Sequence, residues 1–276
     1  MPLVQVIVLG IIQGLTEFLP ISSTAHLVVI PKLLGWPDQG LAFDLALHVG
    51  TVIAVVVYFF RDWVQIILQG FGIRMTGDPG LERNRGLLWL LAVGTIPIGI
   101  AGLLFEKRAD QARENLYLIG AMAILVGLLM LWADAVGRKQ KDIGHVSPID
   151  AMIIGASQVL AIIPGTSRSG ITMSAGLLRN LDRQAAARFS FLLLTPAVVA
   201  AAGKHFYDLM KHEGGIPPEM RTAFLVGAAV SAVTGMLVIK FLLDYLRRRS
   251  LALFVGYRII FGIIVFALAF FRFGRG

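Results

Sequence analysis

The chain contains no cysteine and few charged residues. The absence of cysteine excludes disulfides, thiolate nucleophiles and sulfur-ligated metal sites. Charged residues make up only 15% of the 276 residues, whereas 57% are hydrophobic and the mean hydropathy is +0.77. Soluble domains of this length carry far more charge, and no alternating ten-residue pattern suggests a β-barrel. The composition therefore predicts an all-α integral membrane protein.

Apolar segments of two lengths recur along the chain. Six can cross a hydrocarbon core of about 30 Å, at about 1.5 Å per helical residue. These six lie at about 43–60, 87–105, 116–136, 189–206, 222–243 and 250–271. Residues 22–34 and 169–180 are too short to cross, and each follows an apolar run (3–19 and 151–163) that ends beside a proline. We interpret each such pair as a re-entrant helix hairpin, which gives six transmembrane helices plus two re-entrant hairpins.

The two halves of the chain, about 1–137 and 146–276, resemble each other. The matched positions are Gly10, Gln13 and Pro20 with Gly155, Gln158 and Pro164, and Gly94, Gly102 and Lys107 with Gly227, Gly235 and Lys240. A hairpin followed by three spans crosses the membrane an odd number of times, so the second copy must be inverted. The sequence thus predicts a single polytopic membrane domain over 1–276 with an inverted-topology repeat, and a site where the broken helices meet.

The net charge of +8 indicates loops that face the anionic lipids of a membrane rather than a nucleic-acid-binding surface. Loop lysines and arginines number 13 around 61–85, 138–141, 179–188 and 247–249, and 9 around 32, 107–113, 204–221 and 272–275. The positive-inside rule places the larger set in the cytoplasm and both termini in the periplasm. The partners expected are the bilayer and a lipid, with no nucleic acid, and homo-oligomer formation is left open.

Two polar strings occupy the tips of the predicted hairpins, Pro20-Ile21-Ser22-Ser23-Thr24-Ala25-His26 and Pro164-Gly165-Thr166-Ser167-Arg168-Ser169-Gly170-Ile171-Thr172. Prolines end one helix, and serine and threonine favour the start of the next, whose first N–H groups attract anions. Gln13 and Glu17 share a helix face just before the first string. With the guanidinium of Arg168, these groups predict a phosphate or diphosphate site. The residues expected to bind the ligand are Gln13, Ser22, Thr24, Gly165, Thr166, Ser167, Ser169 and Thr172.

Four residues are the candidates for catalysis. Arg168 would neutralise the terminal phosphoryl group, and Ser23 would attack it or position an attacking water. His26 would take or return the proton, and Glu17 would orient His26 or a metal. A serine nucleophile, a histidine nucleophile and direct water attack all stay open. The alternative without a ligand is a structural ion pair between Glu17 and Arg168.

Other polar residues and the glycines receive structural interpretations. Arg258 lies inside the last span and either helps to hold phosphate or neutralise Glu17, or pairs within the bundle. Asp44 and His48, four residues apart at the start of a span, could bind a metal or relay protons, but they are expected to form a solvated pair at the membrane interface. The glycines within the spans are expected to allow close helix packing, and they are Gly94, Gly99, Gly102, Gly227 and Gly235.

The two strings resemble motifs of a known family. Gln13-x-x-x-Glu17 followed by Pro20-x-Ser-Ser-Thr-x-His26 resembles the (E/Q)xxxE and PxSSTxH elements of bacterial undecaprenyl-diphosphatases, the bacitracin-resistance family. Residues 164–172 are similar to the PGxSRSxxT element of that family. The resemblance covers essentially the whole chain. It implies an inner-membrane enzyme that hydrolyses undecaprenyl diphosphate to the monophosphate and phosphate, and so recycles the cell-wall lipid carrier.

The resemblance also implies dependence on a divalent cation, Mg²⁺ or Ca²⁺, with Gln13 and Glu17 as candidate ligands. Gln13 stands where many members have glutamate, which leaves one carboxylate on this face. The competing function is a secondary transporter or lipid flippase, because inverted repeats with re-entrant helices are typical of transporters. A lipid phosphatase of the acid-phosphatase-like superfamily is strongly disfavoured, because its Arg-Pro and Ser-Gly-His signature is absent from the sequence.

Overall fold

The computed structural model describes residues 1–212 and 218–273, which form helices and connecting loops. The helices are α1 Leu3–Phe18, α2 Ser23–Leu34, α3 Leu41–Tyr58, α4 Phe60–Gly70, α5 Pro79–Arg83, α6 Leu87–Ala112, α7 Leu116–Val136, α8 Pro148–Ser157, α9 Arg168–Leu178, α10 Arg183–His212, α11 Pro218–Leu246 and α12 Ala252–Leu268. A 3₁₀ turn, Gln158–Ile162, extends α8. Arg275, one of the residues behind the orientation prediction, lies outside the described residues.

Five helices of the described residues, α6, α7, α10, α11 and α12, are long and apolar enough to cross a membrane. A sixth span results if α3 and α4, which meet at a bend of 77°, are taken together. Large apolar side chains such as Leu104 and Leu225 point outward with more than 70% of their surface exposed, as expected in lipid. The prediction of a multi-pass, all-helical membrane protein is confirmed.

The predicted hairpins are present as short helix pairs, α1 with α2 (the first hairpin) and α8 with α9 (the second hairpin). At the open end of the second hairpin, Arg179 just after α9 donates to Asp150 in the first turn of α8, 2.7 Å away. At the open end of the first hairpin, Trp36 packs on the same apolar cluster as Val6. Each hairpin therefore begins and ends on one side of the molecule.

The two open ends lie at opposite ends of α7. Lys32, near the end of α2, pairs with Glu114 just before α7 at 2.6 Å. Arg183, just beyond the second hairpin, pairs with Asp134 in the last turn of α7 at 2.7 Å. An α-helix of 21 residues is about 30 Å long, so the two hairpins reach toward each other from opposite faces of the molecule.

Glycines bring the first arm of each hairpin against a span of the other half. A Cβ on Gly155 of α8 would overlap the main chain of Gly94 in α6, and one on Gly10 of α1 would lie 3.0 Å from the carbonyl oxygen of Gly227 in α11. Close packing is therefore confirmed for Gly94 and Gly227, and a Cβ on Gly235 would likewise collide with Phe18 and Ala54. For Gly99 and Gly102 the prediction of close helix packing is wrong, because a Cβ there would meet only open space.

Candidate active site

The tips of the two hairpins meet inside the molecule. Ser169 Oγ in the second tip donates to the carbonyl oxygen of Leu19 in the first, at 3.2 Å. The Arg168 guanidinium lies 3.4 Å from Glu17 Oε1. The juxtaposition predicted from the two polar strings is therefore present, and it places the starts of α2 and α9 side by side.

Both tips use the same unusual backbone conformation. The residue before each second arm is a serine with positive φ, 78° at Ser22 and 70° at Ser167. Residues other than glycine rarely adopt this backbone conformation, which costs about 1–3 kcal/mol of folding free energy. Ser167 Oγ also accepts the Gly170 N–H at 3.1 Å as an N-cap. Gly165 has a φ of 88°, and a Cβ on it would lie only 2.6 Å from the carbonyl oxygen of Ile119. Tertiary packing therefore holds both tips in a strained shape.

Glu17 is the centre of the hydrogen-bond network. Its Oε2 accepts Ser23 Oγ at 2.6 Å and Gln13 Nε2 at 3.2 Å. Its Oε1 faces Arg168, whose other nitrogen donates to the carbonyl oxygen of Ser190 at 2.8 Å. Glu17 and Ser23 are both less than a tenth exposed. A buried carboxylate hydrogen-bonded to a serine hydroxyl and beside an arginine is arranged to accept the proton of that hydroxyl.

His26 lies away from this network, which corrects one part of the sequence hypothesis. Its Nδ1 faces the carbonyl oxygen of Ser22 at 2.7 Å, so Nδ1 carries a proton, and its Nε2 accepts the Tyr257 hydroxyl at 2.6 Å. Its ring also stacks on Phe261 at 4.4 Å. None of the hydrogen bonds found among the described residues joins His26 to Ser23 or Glu17. The expectation that Glu17 orients His26 is therefore wrong, and its alternative, that Glu17 orients a metal, stays a prediction.

His48 occupies the place expected for His26. Its Nε2 lies 3.6 Å from Glu17 Oε2, and its Nδ1 donates to the carbonyl oxygen of Asp44 at 2.8 Å. Asp44 is buried and paired with Arg113, so the expected solvated pair at the interface is also wrong. The sequence signal for this position is the i,i+4 spacing of Asp44 and His48 at the start of an apolar span, which also allows a proton relay. Which face of α3 meets the hairpins is a property of the packing.

A cavity of about 240 Å³ lies over the two tips. Its polar walls come from Glu17, Ser22, Ser23, Thr24, His48, Gln158, Gly165, Ser167 and Arg168. Four described side chains around these tips carry buried polar atoms without a protein partner: Gln13 Oε1, both amide atoms of Gln158, Thr166 Oγ1 and Arg168 Nε. Buried polar atoms are nearly always satisfied, so these atoms indicate a polar ligand or water.

The remaining residues predicted from the sequence lie behind the side chains that line the cavity. Thr172 Oγ1 bonds Ser190 Oγ at 2.7 Å and the Arg168 carbonyl oxygen at 2.8 Å, so it supports the start of α9. Ser169 is engaged with Leu19 and with Ser167. Gln13 reaches the site through Glu17, and Thr166 is fully buried. Seven of the twelve sequence candidates therefore line the cavity, and Gln13, His26, Thr166, Ser169 and Thr172 support it.

Arg258, in α12, is hydrogen-bonded to both tips. Its guanidinium is fully buried and donates to the carbonyl oxygens of Pro20 in the first tip and of Gly165 and Thr166 in the second, at 2.9 to 3.2 Å. Two further bonds reach Met122 and Ala123 in α7. Of the two interpretations offered by the sequence, pairing within the bundle is confirmed, and the partners are main-chain carbonyls.

The residues around Glu17 offer a divalent cation few protein ligands. Within the described part of the chain, no cluster of three or more histidine, aspartate and glutamate side chains is close enough to hold a metal. One carboxylate and the unpartnered amide oxygen of Gln13 remain. Mg²⁺ is commonly held by one or two carboxylates together with substrate phosphates. The donors fit a cation whose coordination the ligand completes.

The sequence is similar to known proteins over nearly its whole length. Residues 6–264 match the family model described as "Bacitracin resistance protein BacA". An undecaprenyl-diphosphatase of Moorella thermoacetica is 48% identical over 272 residues, which cover 99% of this chain and 100% of that protein. An undecaprenyl-diphosphatase of Pelotomaculum thermopropionicum is 46% identical and covers 98% of this chain and 97% of its own length. One from Thermodesulfovibrio yellowstonii is 44% identical, with 98% of both chains covered.

Proposed function

Because the chain belongs to the BacA bacitracin-resistance family, we propose that it is a membrane undecaprenyl-diphosphatase. It hydrolyses undecaprenyl diphosphate to undecaprenyl phosphate and inorganic phosphate, and so recycles the cell-wall lipid carrier. The observation that carries the mechanism is the 2.6 Å hydrogen bond from Ser23 Oγ to Glu17 Oε2, made beside Arg168 in a cavity open to ligand.

In the first step Ser23 acts as the nucleophile. Its Oγ forms a bond to the terminal phosphorus while the bond from that phosphorus to the bridging oxygen breaks. Undecaprenyl phosphate leaves with the electron pair of that bond, and Glu17 takes the hydroxyl proton. Arg168 neutralises the charge on the phosphoryl oxygens. His26 is disfavoured as the nucleophile, because both of its ring nitrogens are engaged.

In the second step water attacks the phosphoserine. The water gives its proton to His48, the bond from phosphorus to Ser23 Oγ breaks, and Glu17 returns the first proton to that oxygen. His48 suits this role, because its Nδ1 proton is held by a carbonyl while its Nε2 faces the cavity. A divalent cation held by Glu17 and Gln13 would add charge neutralisation at the diphosphate.

The architecture behind this site is proposed as an inverted-topology repeat, 1–137 and 146–276, within one membrane domain. Three matched features support it: the serines with positive φ, the glycine pairs Gly10–Gly227 and Gly155–Gly94, and the open hairpin ends at opposite ends of α7. The location proposed is the bacterial inner membrane, with both termini in the periplasm.

The test of the function is phosphate release from undecaprenyl diphosphate by the purified protein in detergent. Wild type should release phosphate, and Ser23→Ala should lose at least about 10³-fold in rate. Ser174→Ala is the matched control, because that hydroxyl bonds only within α9. Rapid quenching with ³²P-labelled substrate should trap phosphoserine in wild type. A transporter would release no phosphate from any variant.

The absence of cysteine permits a direct test of orientation. Asp38, in the loop between α2 and α3, and Arg74, between α4 and α5, lie on opposite sides of the proposed membrane. Asp38→Cys should react with a membrane-impermeant maleimide in intact spheroplasts, and Arg74→Cys only after lysis. The reverse pattern would place the termini in the cytoplasm.

A further inference from the structure

A second cavity, larger and apolar, adjoins the active site. It has a volume of about 700 Å³ and lies between the middle of α6 and the second half of α10. We call it the α6–α10 groove, and its walls include Ile98, Gly99 and Gly102 of α6 and Ala197, Ala200 and Ala201 of α10. The mechanism above assigns it no role.

The groove exists because both facing helices carry small residues there. A Cβ on Gly99 or Gly102 would meet no atom within 4 Å, so these glycines leave space rather than bringing helices together. Three alanines stand opposite on α10. The hydroxyl of Thr95 is bonded within α6 to the carbonyl oxygen of Leu91, so it adds little polarity to the wall.

The groove and the catalytic cavity adjoin each other. They share four wall residues, Ile98, Ile162, Ala197 and Ala201. On its other side the groove opens toward the bilayer, where Ile96 and Ile100 of α6 are each 54% exposed. A molecule with a phosphate end and a long apolar end can therefore lie with one end at Ser23 and the other along the groove.

We propose that the α6–α10 groove binds the first part of the prenyl chain of the substrate and directs it into the bilayer. The inference rests on the proposed function and deepens it, since it identifies what selects a long-chain diphosphate. Apolar burial along the groove then contributes affinity for long prenyl chains that a short chain cannot use in full.

The test fills the groove and compares two chain lengths. Gly99→Leu places a side chain in the open space without changing any group that contacts phosphate. KM for undecaprenyl diphosphate should rise about 10-fold or more, while KM for dimethylallyl diphosphate, whose five-carbon chain is too short to lie along the groove, and kcat for both change less than 2-fold. Ala200→Leu, from the opposite wall, should act in the same way.

Gly256→Leu is the matched control, because Gly256 in α12 also has open space around its Cβ but lies outside both cavities. An equal rise in KM for both substrates in a folded variant, or no change in KM for either, would overturn the proposal. The latter result would mean that an ordinary membrane lipid fills the groove. Equilibrium binding of the same two diphosphates is measured in parallel, so a protein that binds them selectively but releases no phosphate contradicts the proposed function alone.

Discussion

At the scale of single residues, the arrangement around Glu17 gives two histidines different roles. His48 faces Glu17 in the cavity, whereas His26 is held by Ser22, Tyr257 and Phe261. Proton transfer needs a lone pair or proton directed at the reacting groups. His48 therefore has the geometry for chemistry, and His26 the geometry for positioning α2.

His48→Ala is expected to lower kcat for phosphate release by about 10²- to 10⁴-fold, the usual contribution of a general acid or base. Thermal stability in detergent should change little, because the His48 side chain is 26% exposed. His145→Ala is the control, since that histidine lies at the surface beside Asp142. A His48→Ala enzyme with a near-normal rate and pH profile would assign the second proton to another group.

The positive φ of Ser22 predicts an unusual ranking of substitutions. Glycine at this position removes the conflict of a Cβ with a φ of 78°, at a cost of about 0.5–1 kcal/mol in chain entropy. We expect Ser22→Gly to unfold at or above the wild-type temperature, and Ser22→Val to unfold well below it. Thermal scans in detergent measure both. A more stable Ser22→Val would show that the tip relaxes at no cost.

At the scale of elements, each hairpin depends on a contact that closes its open end. In the second hairpin this contact is Asp150, which caps α8 through Ser147 and pairs with Lys141 and Arg179 at 3.0 and 2.7 Å. One buried carboxylate thus fixes the start of α8, the end of α9 and the loop before them. Neither arm can span the membrane alone, so tertiary contacts must supply the stability that length does not.

Asp150→Asn should therefore destabilise the protein by about 1–3 kcal/mol, because it leaves two cations without their partner and weakens the cap. Asp142→Asn, in the neighbouring loop, removes a carboxylate that is 40% exposed and should change stability by less than about 0.5 kcal/mol. Unfolding in a graded denaturant series compares the two. Equal effects would refute a special role for the open end.

At the scale of the whole molecule, the Arg258 side chain holds the tips of the two hairpins at a fixed separation. Its guanidinium binds main-chain carbonyls of both tips and of α7 at once. Arginine presents five donors in a rigid plane, which a lysine cannot reproduce. The separation of Ser23 from Arg168 across the cavity therefore depends on a residue outside both tips.

Arg258→Lys should keep the positive charge but lose this geometry. We expect kcat to fall about 10²-fold, the effect of a displacement of about 1 Å, with a folded protein by circular dichroism. Lys240→Gln is the matched control, because Lys240 is an exposed basic residue in α11. A wild-type rate for Arg258→Lys would show that the tips hold their separation without the clamp.

Local sequence patterns predict the membrane domain, the two broken helices and the polar strings at their tips. These features depend on residues near one another in the chain: a proline stop, a serine start, and an apolar run of given length. Gln13, Glu17, Ser23 and Arg168 were found for the same reason, because a charged or polar group at membrane depth is conspicuous in any apolar sequence.

Which groups from distant helices meet depends on the packing of those helices. The choice of His48 over His26, the carbonyl partners of Arg258 and the space beside Gly99 all depend on how α3, α12, α6 and α10 are rotated about their axes. In a span that is apolar on every side, no amphipathic stripe identifies the inward face. Close packing selects that face through the shapes of side chains distant in sequence.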